Sequence, residues 1–378
     1  MDRRTLIQTA LVGAAVGTGA GIAAARVATP QAAAGPTQRA SRATGNASRR
    51  LTMVTSWPKN LPGLGESAER ISALVNEISK GDLEIRVYAA GEVVGAFEVF
   101  DAVSSGASDM YHSADYYWQG KSSAYPFFTA VPFGLTAQEH MAWIEWGGGQ
   151  ALWNELAAPF NIVPMLGANT MHQMGGWFKK EINTLDDFRG LKMRIPGLGG
   201  EVVRALGGAA VAVPGGEIYG ALQSGLIDGA EWVGPWNDFF LGFYREAPFY
   251  YGPGFHEPGA ALAVGINRKV WEGLSAEHQA IIKAACAQSN HMSIGEFTHQ
   301  NGAYLEILRT QHNVRVKSFP QDLWKRAGEA SKDILSKAGS GSTIARKIYE
   351  GFQKARKSGD AWADVSDAPY YALRKLGQ

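Results

Sequence analysis

Strand-length and helix-length segments alternate from residue 51 onward, and this order restricts the fold of the 378-residue chain more than any other feature. LTMVTSW (51–57) reads as a strand ending at Pro58. Residues 65–80 read as a helix with apolar side chains at Ile71, Leu74, Val75 and Ile78. LEIRVYAA (83–90) alternates with the period of a strand. VGAFEVFDAVSSG (94–106) reads as a helix closed by Gly106, and SDMYHSA (108–114) as a third strand. Strands separated by helices imply a mostly parallel sheet.

A second α/β set follows. NIVPMLGAN (161–169) and LKMRIP (191–196) are strands, with TLDDFRG (184–190) a capped helical turn between them. GEVVRALGG (200–208) is a helix ending in two glycines, AAVAVP is a strand, and GEIYGALQSGLIDGAEWV holds a helix and a short strand. AALAVGINRKVWEGL (260–274) reads as a strand crossing back to the first set. From Ser275 the chain is largely helical, with Ser275 a cap and Glu277 in the first turn. LWKRAGEASKDILSKA (323–338) is amphipathic, and the tail beyond it is helical with exposed aromatics. Such a tail packs on its own body or on a partner subunit, a homodimer through the C-terminal helix being one outcome. The expected class is therefore α/β: two lobes with hinge crossovers, a clamshell, and a long helical C-terminal region. Residues 51–168 form lobe I with a return segment at about 260–300, residues 169–259 form lobe II, and residues 301–378 form the helical region. Ligands in hinged folds sit in the cleft.

Apolar residues make up 46% of the chain, enough for real cores, and a lone Cys286 excludes an intramolecular disulfide framework. Arg3-Arg4 precede the small-residue apolar run LIQTALVGAAVGTGAGIAAA, the form of an export signal of the twin-arginine type. Cleavage after Ala23-Ala24-Ala25 or Ala32-Ala33-Ala34 fits equally, and residues 31–50 read as a linker. Residues 1–50 hold seven of the 36 Lys/Arg and one of the 35 Asp/Glu, so the remainder carries a net charge near −5. A mildly acidic exported body without a basic stripe argues against nucleic acid as a partner.

Arg194 in KMRIPG, Glu231 in DGAEW and Glu257 in FHEPG stand among Gly, Pro and aromatic residues. A charge in that company needs a partner or water. Arginine offers a planar fork of donors that fits a carboxylate, and Arg194 ends a strand, where a cleft opens. Two glutamates with carbonyl oxygens suit a hard cation, Na⁺ or Ca²⁺, rather than Zn²⁺. Tyr116 and Tyr117 in HSADYYWQG follow a first-lobe strand and offer phenol donors, and Asn169 ends a second strand. Trp57, Phe239 and Phe255 are candidate walls. His172 and His256 flank proposed ligands, but their spacing fits no compact histidine motif.

LKMRIPG, the run YGALQSGLIDGAEW and the order strand–Arg–helix–strand–Asp-Gly resemble the solute-binding proteins of tripartite ATP-independent periplasmic (TRAP) transporters, over about residues 51–370. The resemblance implies a periplasmic-binding-protein clamshell, no catalysis, a periplasmic location and membrane permease subunits as partners. It implies that Arg194 pairs with a substrate carboxylate and slightly favours Tyr117 over Tyr116. The closer likeness is to the 2-oxo-acid and lactate binders, which hold their ligand with a metal ion. That likeness implies a cation shell of Gln173 in NTMHQMGGW, Glu231, the Trp232 carbonyl and Glu257, with Gln173 also facing the substrate. Pyruvate and lactate represent the substrate class, and a dimer is implied as in the metal-dependent relatives. The long linker 31–50 departs from the pattern. The competing readings are an exported glycoside hydrolase using Glu231 and Glu257 as its carboxylate pair, and a sensory binding protein. Arg194 has no clear purpose in neutral-sugar hydrolysis.

Overall fold

A computed structural model describes residues 48–377. The export signal and its cleavage sites lie outside the described residues. In chain order the strands are β1 (Arg49–Thr55), β2 (Leu83–Tyr88), β3 (Met110–Ser113), β4 (Ile162–Asn169), β5 (Gly176–Phe178), β6 (Lys192–Arg194), β7 (Ala209–Val211), β8 (Gly229–Ala230), β9 (Phe249–Tyr251), β10 (Ala261–Asn267) and β11 (Arg315–Lys317). They form two sheets, ordered β2-β1-β3-β10-β4 and β11-β9-β5-β8-β6-β7.

In the first sheet β1 runs parallel to β2 and β3, as the alternation of strands and helices requires. The helices Leu64–Ile78 and Val99–Ser105 make the crossovers, and the second closes at Gly106, whose φ of 84° is the left-handed cap that glycine adopts without penalty. β10 departs from the parallel pattern, since it lies antiparallel between β3 and β4. The return segment therefore enters the first sheet between β3 and the edge strand β4. It is shorter than the 260–274 reading. The Asn267 side chain accepts the Lys269 and Val270 amides, and this cap turns Arg268–Glu272 into a helix.

Side chains alternate across β1. Leu51 and Met53 join one core with Ile71, Val75, Ile281 and Ile282, while Val54 faces an aromatic core with Phe100, Phe128, Trp143 and Trp153. Phe128 and Trp153 stack at 5.1 Å, and Ile348 and Phe352 of the helix Thr343–Ala363 close that core.

In the second sheet β6 runs parallel to β7 and β8, and β5 is antiparallel to β8 and β9. One face packs Phe178, Met193, Val202 and Val203 against Phe319 and Leu323. The other contributes Trp177, Ala230, Trp232 and Tyr250 to a core that also holds Trp57, Leu64 and Tyr116 from the first set of elements. The helix Ala276–Gln311, capped by Ser275 accepting His278 N–H, spans about 54 Å. Its first half buries Ile281, Ile282 and Cys286 with the first sheet, and its second half buries Phe297 and Leu308 with the core shared by both. Among the described residues no helix is long and apolar enough to cross a membrane.

Candidate functional site

Sheet register brings the first two charges together. Arg194 ends β6 opposite Ala230 of β8, so the next residue, Glu231, falls beside it, and Glu231 N–H donates to the Arg194 carbonyl at 3.1 Å. The guanidinium is fully buried. Nη1 donates to Glu231 Oε1 at 2.5 Å and to the Glu231 carbonyl at 2.8 Å, while Nε donates to the Val213 carbonyl at 3.2 Å. The guanidinium carbon lies 5.0 Å from the Trp232 ring centroid, a cation–π contact. Nη2 alone lacks a partner. The fork expected to meet a carboxylate with two edges is thus largely engaged within the protein, and Nη2 is the nitrogen left for a ligand.

The second glutamate arrives by a different route. The segment after β4 runs beside the segment before β10: Thr170 N–H donates to the Ala260 carbonyl, Gln173 N–H to the Glu257 carbonyl, and Gly254 N–H to the Gln173 carbonyl. Gln173 and Glu257 are therefore neighbours across that seam. Gln173 Nε2 donates to Thr170 Oγ1 at 2.9 Å, which leaves Gln173 Oε1 buried and unpartnered; Glu257 Oε2 is buried and unpartnered too. Burial, then the charge of Glu231, pushes the Glu257 carboxyl well above the ordinary carboxylate range, and Arg194 offsets part of that. His256 Nε2 donates to Glu231 Oε2 at 3.1 Å. Atoms of Glu231, His256 and Glu257 lie within 4.8 Å of one another. Two carboxylates and an amide oxygen, two of these oxygens lacking any donor, fit a hard cation, whose charge would also favour ionised Glu257.

A cavity of about 10 Å³ adjoins these groups, lined by Trp57, Tyr116, Tyr117, Thr170, Gln173 and Trp232 among others. That is room for about one water-sized sphere. Arg194, Glu231 and Glu257 do not form its wall; their neighbours Trp232 and Gln173 do. Tyr116 and Tyr117 lie on the 3₁₀ turn Asp115–Trp118. Burial raises both phenols, Tyr117 to about 12, and the charges of Arg194, Glu231 and Glu257 all act on them. Asn169 ends β4, and its Oδ1 accepts the Met171 amide at 2.8 Å; it does not line the cavity. Trp57 does, its Nε1 donating to His112 Nδ1 at 2.7 Å. Phe239 instead packs on Tyr244 and Tyr304, and Phe255 on Phe133 and Trp324.

A family model of bacterial extracellular solute-binding proteins, family 7 (DctP), matches residues 53–340. The chain belongs to this family. A family 7 chain is a solute-binding protein that works outside the cytoplasm, and the two sheets joined by crossovers are its clamshell. A monocarboxylate 2-oxoacid-binding periplasmic protein of Nostoc sp. is 42% identical over 321 residues, 85% of this chain and 88% of that protein. A TRAP periplasmic solute-binding protein of Pseudoalteromonas atlantica, solved with sodium and pyruvate, is 38% identical with a TM-score of 0.83, covering 86% of this chain and 98% of its own. A TRAP solute-binding protein of Bordetella bronchiseptica, solved as a dimer with calcium and picolinate in one site, is 36% identical with a TM-score of 0.85, covering 88% and 100%.

Of three polar residues that brace this candidate site, Thr170 and Asp238 did not stand out in the sequence, and His256 stood out only as a flank of a proposed ligand. Thr170 fixes Gln173, His256 fixes Glu231, and Asp238 receives four donors beneath Val233 and Gly234. His256 sits next to Glu257 in sequence, and its adjacency was the one available signal.

Proposed function

We propose that the protein binds a small monocarboxylate, a 2-oxo acid such as pyruvate or a 2-hydroxy acid such as lactate, together with Na⁺ or Ca²⁺, and delivers it to the membrane permease subunits of a TRAP transporter. One observation carries the reading: three buried polar atoms without partners, Arg194 Nη2, Gln173 Oε1 and Glu257 Oε2, belong to residues that share one site. A buried polar atom without a partner costs about 1–3 kcal/mol, so such a group of them calls for a ligand with an acceptor for the arginine and a positive charge for the oxygens.

Arg194 Nη2 takes the ligand carboxylate, with Tyr117 and Tyr116 of the cavity wall as phenol donors and Asn169, at the end of β4, as a further polar group. Gln173, Glu231, Glu257 and the Trp232 carbonyl hold the cation. The cation supplies charge to the oxygens of the ligand's 2-position. Pyruvate bound with sodium in the P. atlantica protein, picolinate bound with calcium in the B. bronchiseptica protein, and the 2-oxoacid binding of the Nostoc relative support this pairing. The protein acts without catalysis. Glu231 is engaged by Arg194 and His256, so a hydrolytic pair of free carboxyls with Glu257 has no support.

Lobe I spans 51–168 with the return segment 260–300, lobe II spans 169–259, and 301–378 is the mostly helical region; membership of β10 in the first sheet and of β5 to β9 in the second supports this division, while β11 of the last region adds a strand to the second sheet. Trp362, Tyr370, Tyr371 and Leu373 are more than half exposed on the C-terminal helices, which supports a homodimer through that region. The paired arginines support export by the twin-arginine route to the periplasm.

Thermal unfolding with a panel of acids tests the assignment. Pyruvate or lactate with calcium or sodium raises the melting temperature, because a ligand bound only by the folded state stabilises it. Glucosides and aliphatic amines leave it unchanged. A panel in which no 2-oxo or 2-hydroxy acid shifts the transition contradicts the assignment.

A further inference from the structure

Asp238 lies in the helix Pro235–Leu241, almost wholly buried, and touches none of the atoms assigned to the ligand or cation. Its carboxylate nevertheless has four donors. Oδ1 accepts the backbone N–H groups of Val233 and Gly234, each at 3.1 Å. Oδ2 accepts Trp177 Nε1 and Tyr250 Oη–H, each at 2.8 Å, from two strands of the second sheet whose rings stack at 3.8 Å. One carboxylate thus ties the segment after β8 to the rigid centre of that sheet.

In a trans peptide the carbonyl and the following N–H point in opposite directions. The Trp232–Val233 peptide is trans. With Val233 N–H aimed at Asp238, the Trp232 carbonyl is aimed away from it. The next peptide follows the same logic and its carbonyl is seen to land: Gly234 N–H points at Asp238, and the Val233 carbonyl accepts Met174 N–H at 3.0 Å. Met174 adjoins Gln173. Just before it the Glu231 groups are engaged, its N–H by the Arg194 carbonyl and its carbonyl by Arg194 Nη1. By holding the two amides that follow, Asp238 restrains rotation of the Trp232–Val233 peptide.

We infer that Asp238 is the positioning residue of the cation site: it aims the Trp232 carbonyl toward Glu231, Glu257 and Gln173 by holding the two amides that follow. The inference rests on the cation reading above and adds the group that pre-sets a main-chain ligand. Burial raises the Asp238 carboxyl to about 7 while its hydrogen bonds pull it down, so a charge-capable group is kept in an apolar core at a cost that a merely space-filling residue would not incur.

Terbium luminescence, excited through tryptophan, reads cation affinity with no carboxylate present, and hydrogen exchange of the cation-free protein reads the Val233 and Gly234 amides. Asp238→Leu keeps the side-chain shape and removes the acceptors; it weakens cation binding by about tenfold or more, the usual scale for groups that orient metal ligands, and speeds exchange of both amides. Tyr250→Phe removes one donor to Oδ2 and leaves Oδ1 in place; its cation affinity stays within about twofold of the native protein, below that scale. Should Asp238→Leu fail to fold, Asp238→Asn decides, because its single carbonyl oxygen cannot serve both donor pairs, and it too loses cation affinity. A folded Asp238 variant with native cation affinity overturns the inference, as does a Tyr250→Phe that loses as much as Asp238→Leu. A native protein that binds no cation at all overturns the cation reading itself, and this inference with it.

Discussion

Arg194 and Glu231 form an ion pair at zero exposure, with Nη1 2.5 Å from Oε1. A pair removed this completely from water is weak evidence for stability, yet losing one partner is costly, about 3–5 kcal/mol, because the other charge is left alone. Arg194→Ala therefore unfolds at lower urea by roughly that amount and binds no carboxylate. Adding Glu231→Gln to it restores much of the stability and none of the binding. Urea unfolding and calorimetry on both variants separate the two effects; carboxylate binding retained by Arg194→Ala contradicts the assignment of Nη2.

Asn237, in the helix after β8, joins that helix to the loop that leads from β1 into the helix Leu64–Ile78. Its Nδ2 donates to the Pro62 carbonyl at 2.7 Å, just before the helix Leu64–Ile78, and its Oδ1 accepts Trp232 Nε1 at 3.3 Å. This bond holds only while the two sides are together, so Asn237→Ala favours the open clamshell. Ligand affinity falls by about 0.5–1.5 kcal/mol, the net worth of one hydrogen bond, with the cation requirement unchanged. Calorimetry checks this, and native affinity in the variant removes Asn237 from closure.

Asp115 supplies a pH signature outside the cation site. It is buried beneath Tyr111 and Trp153, which donate to it at 3.0 and 2.8 Å, and burial pushes its carboxyl up to about 7. A raised carboxyl binds its proton more tightly in the folded protein. Its stabilising contribution is full below the ordinary carboxyl range and is lost as pH rises to about 7. His112 and His140, which burial lowers to about 3 and about 4, tilt stability the other way over much of that window. The difference between Asp115→Asn and the native protein isolates the carboxyl. The variant gains on the native protein by about 1.4 kcal/mol for each pH unit between pH 4 and 7. A difference that does not change with pH contradicts the raised value.

The C-terminal region presents Trp362, Tyr370, Tyr371 and Leu373 to solvent. Deleting residues 362–378 converts a sedimenting dimer to a monomer and leaves pyruvate affinity unchanged, since no cavity residue lies there. A full-length protein that sediments as a monomer removes the dimer from the account.

Local pattern revealed most of the framework. The periodicity at Ile71 and Val75, the glycine stop at Gly106 and the alternation in LEIRVY each act within a few residues and set those elements, although the helix read from Val94 begins only at Val99, because residues 94–98 form turns. The helix at 268–272 escaped because RKVWE has no strong period and its cap, Asn267, is the last residue of a strand. Arg194 and Glu231 stood out because isolated charges in apolar surroundings need partners. Asp238 and Thr170 did not, and His256 stood out only as a neighbour of Glu257, because their roles depend on strands and loops that meet only in three dimensions. Tyr250, for example, is twelve residues from Asp238 and Trp177 is sixty-one.

The central claim is that one site holds a carboxylate on Arg194 and a cation on Gln173, Glu231, Trp232 and Glu257. Calorimetric titration of pyruvate into the protein, first stripped of cations by chelation and then loaded with calcium or sodium, tests it most directly. The account predicts binding at one site per chain in the loaded protein and a loss of at least tenfold, about 1.4 kcal/mol, in the stripped protein. Equal affinity in both forms, or no binding in the loaded form, contradicts it.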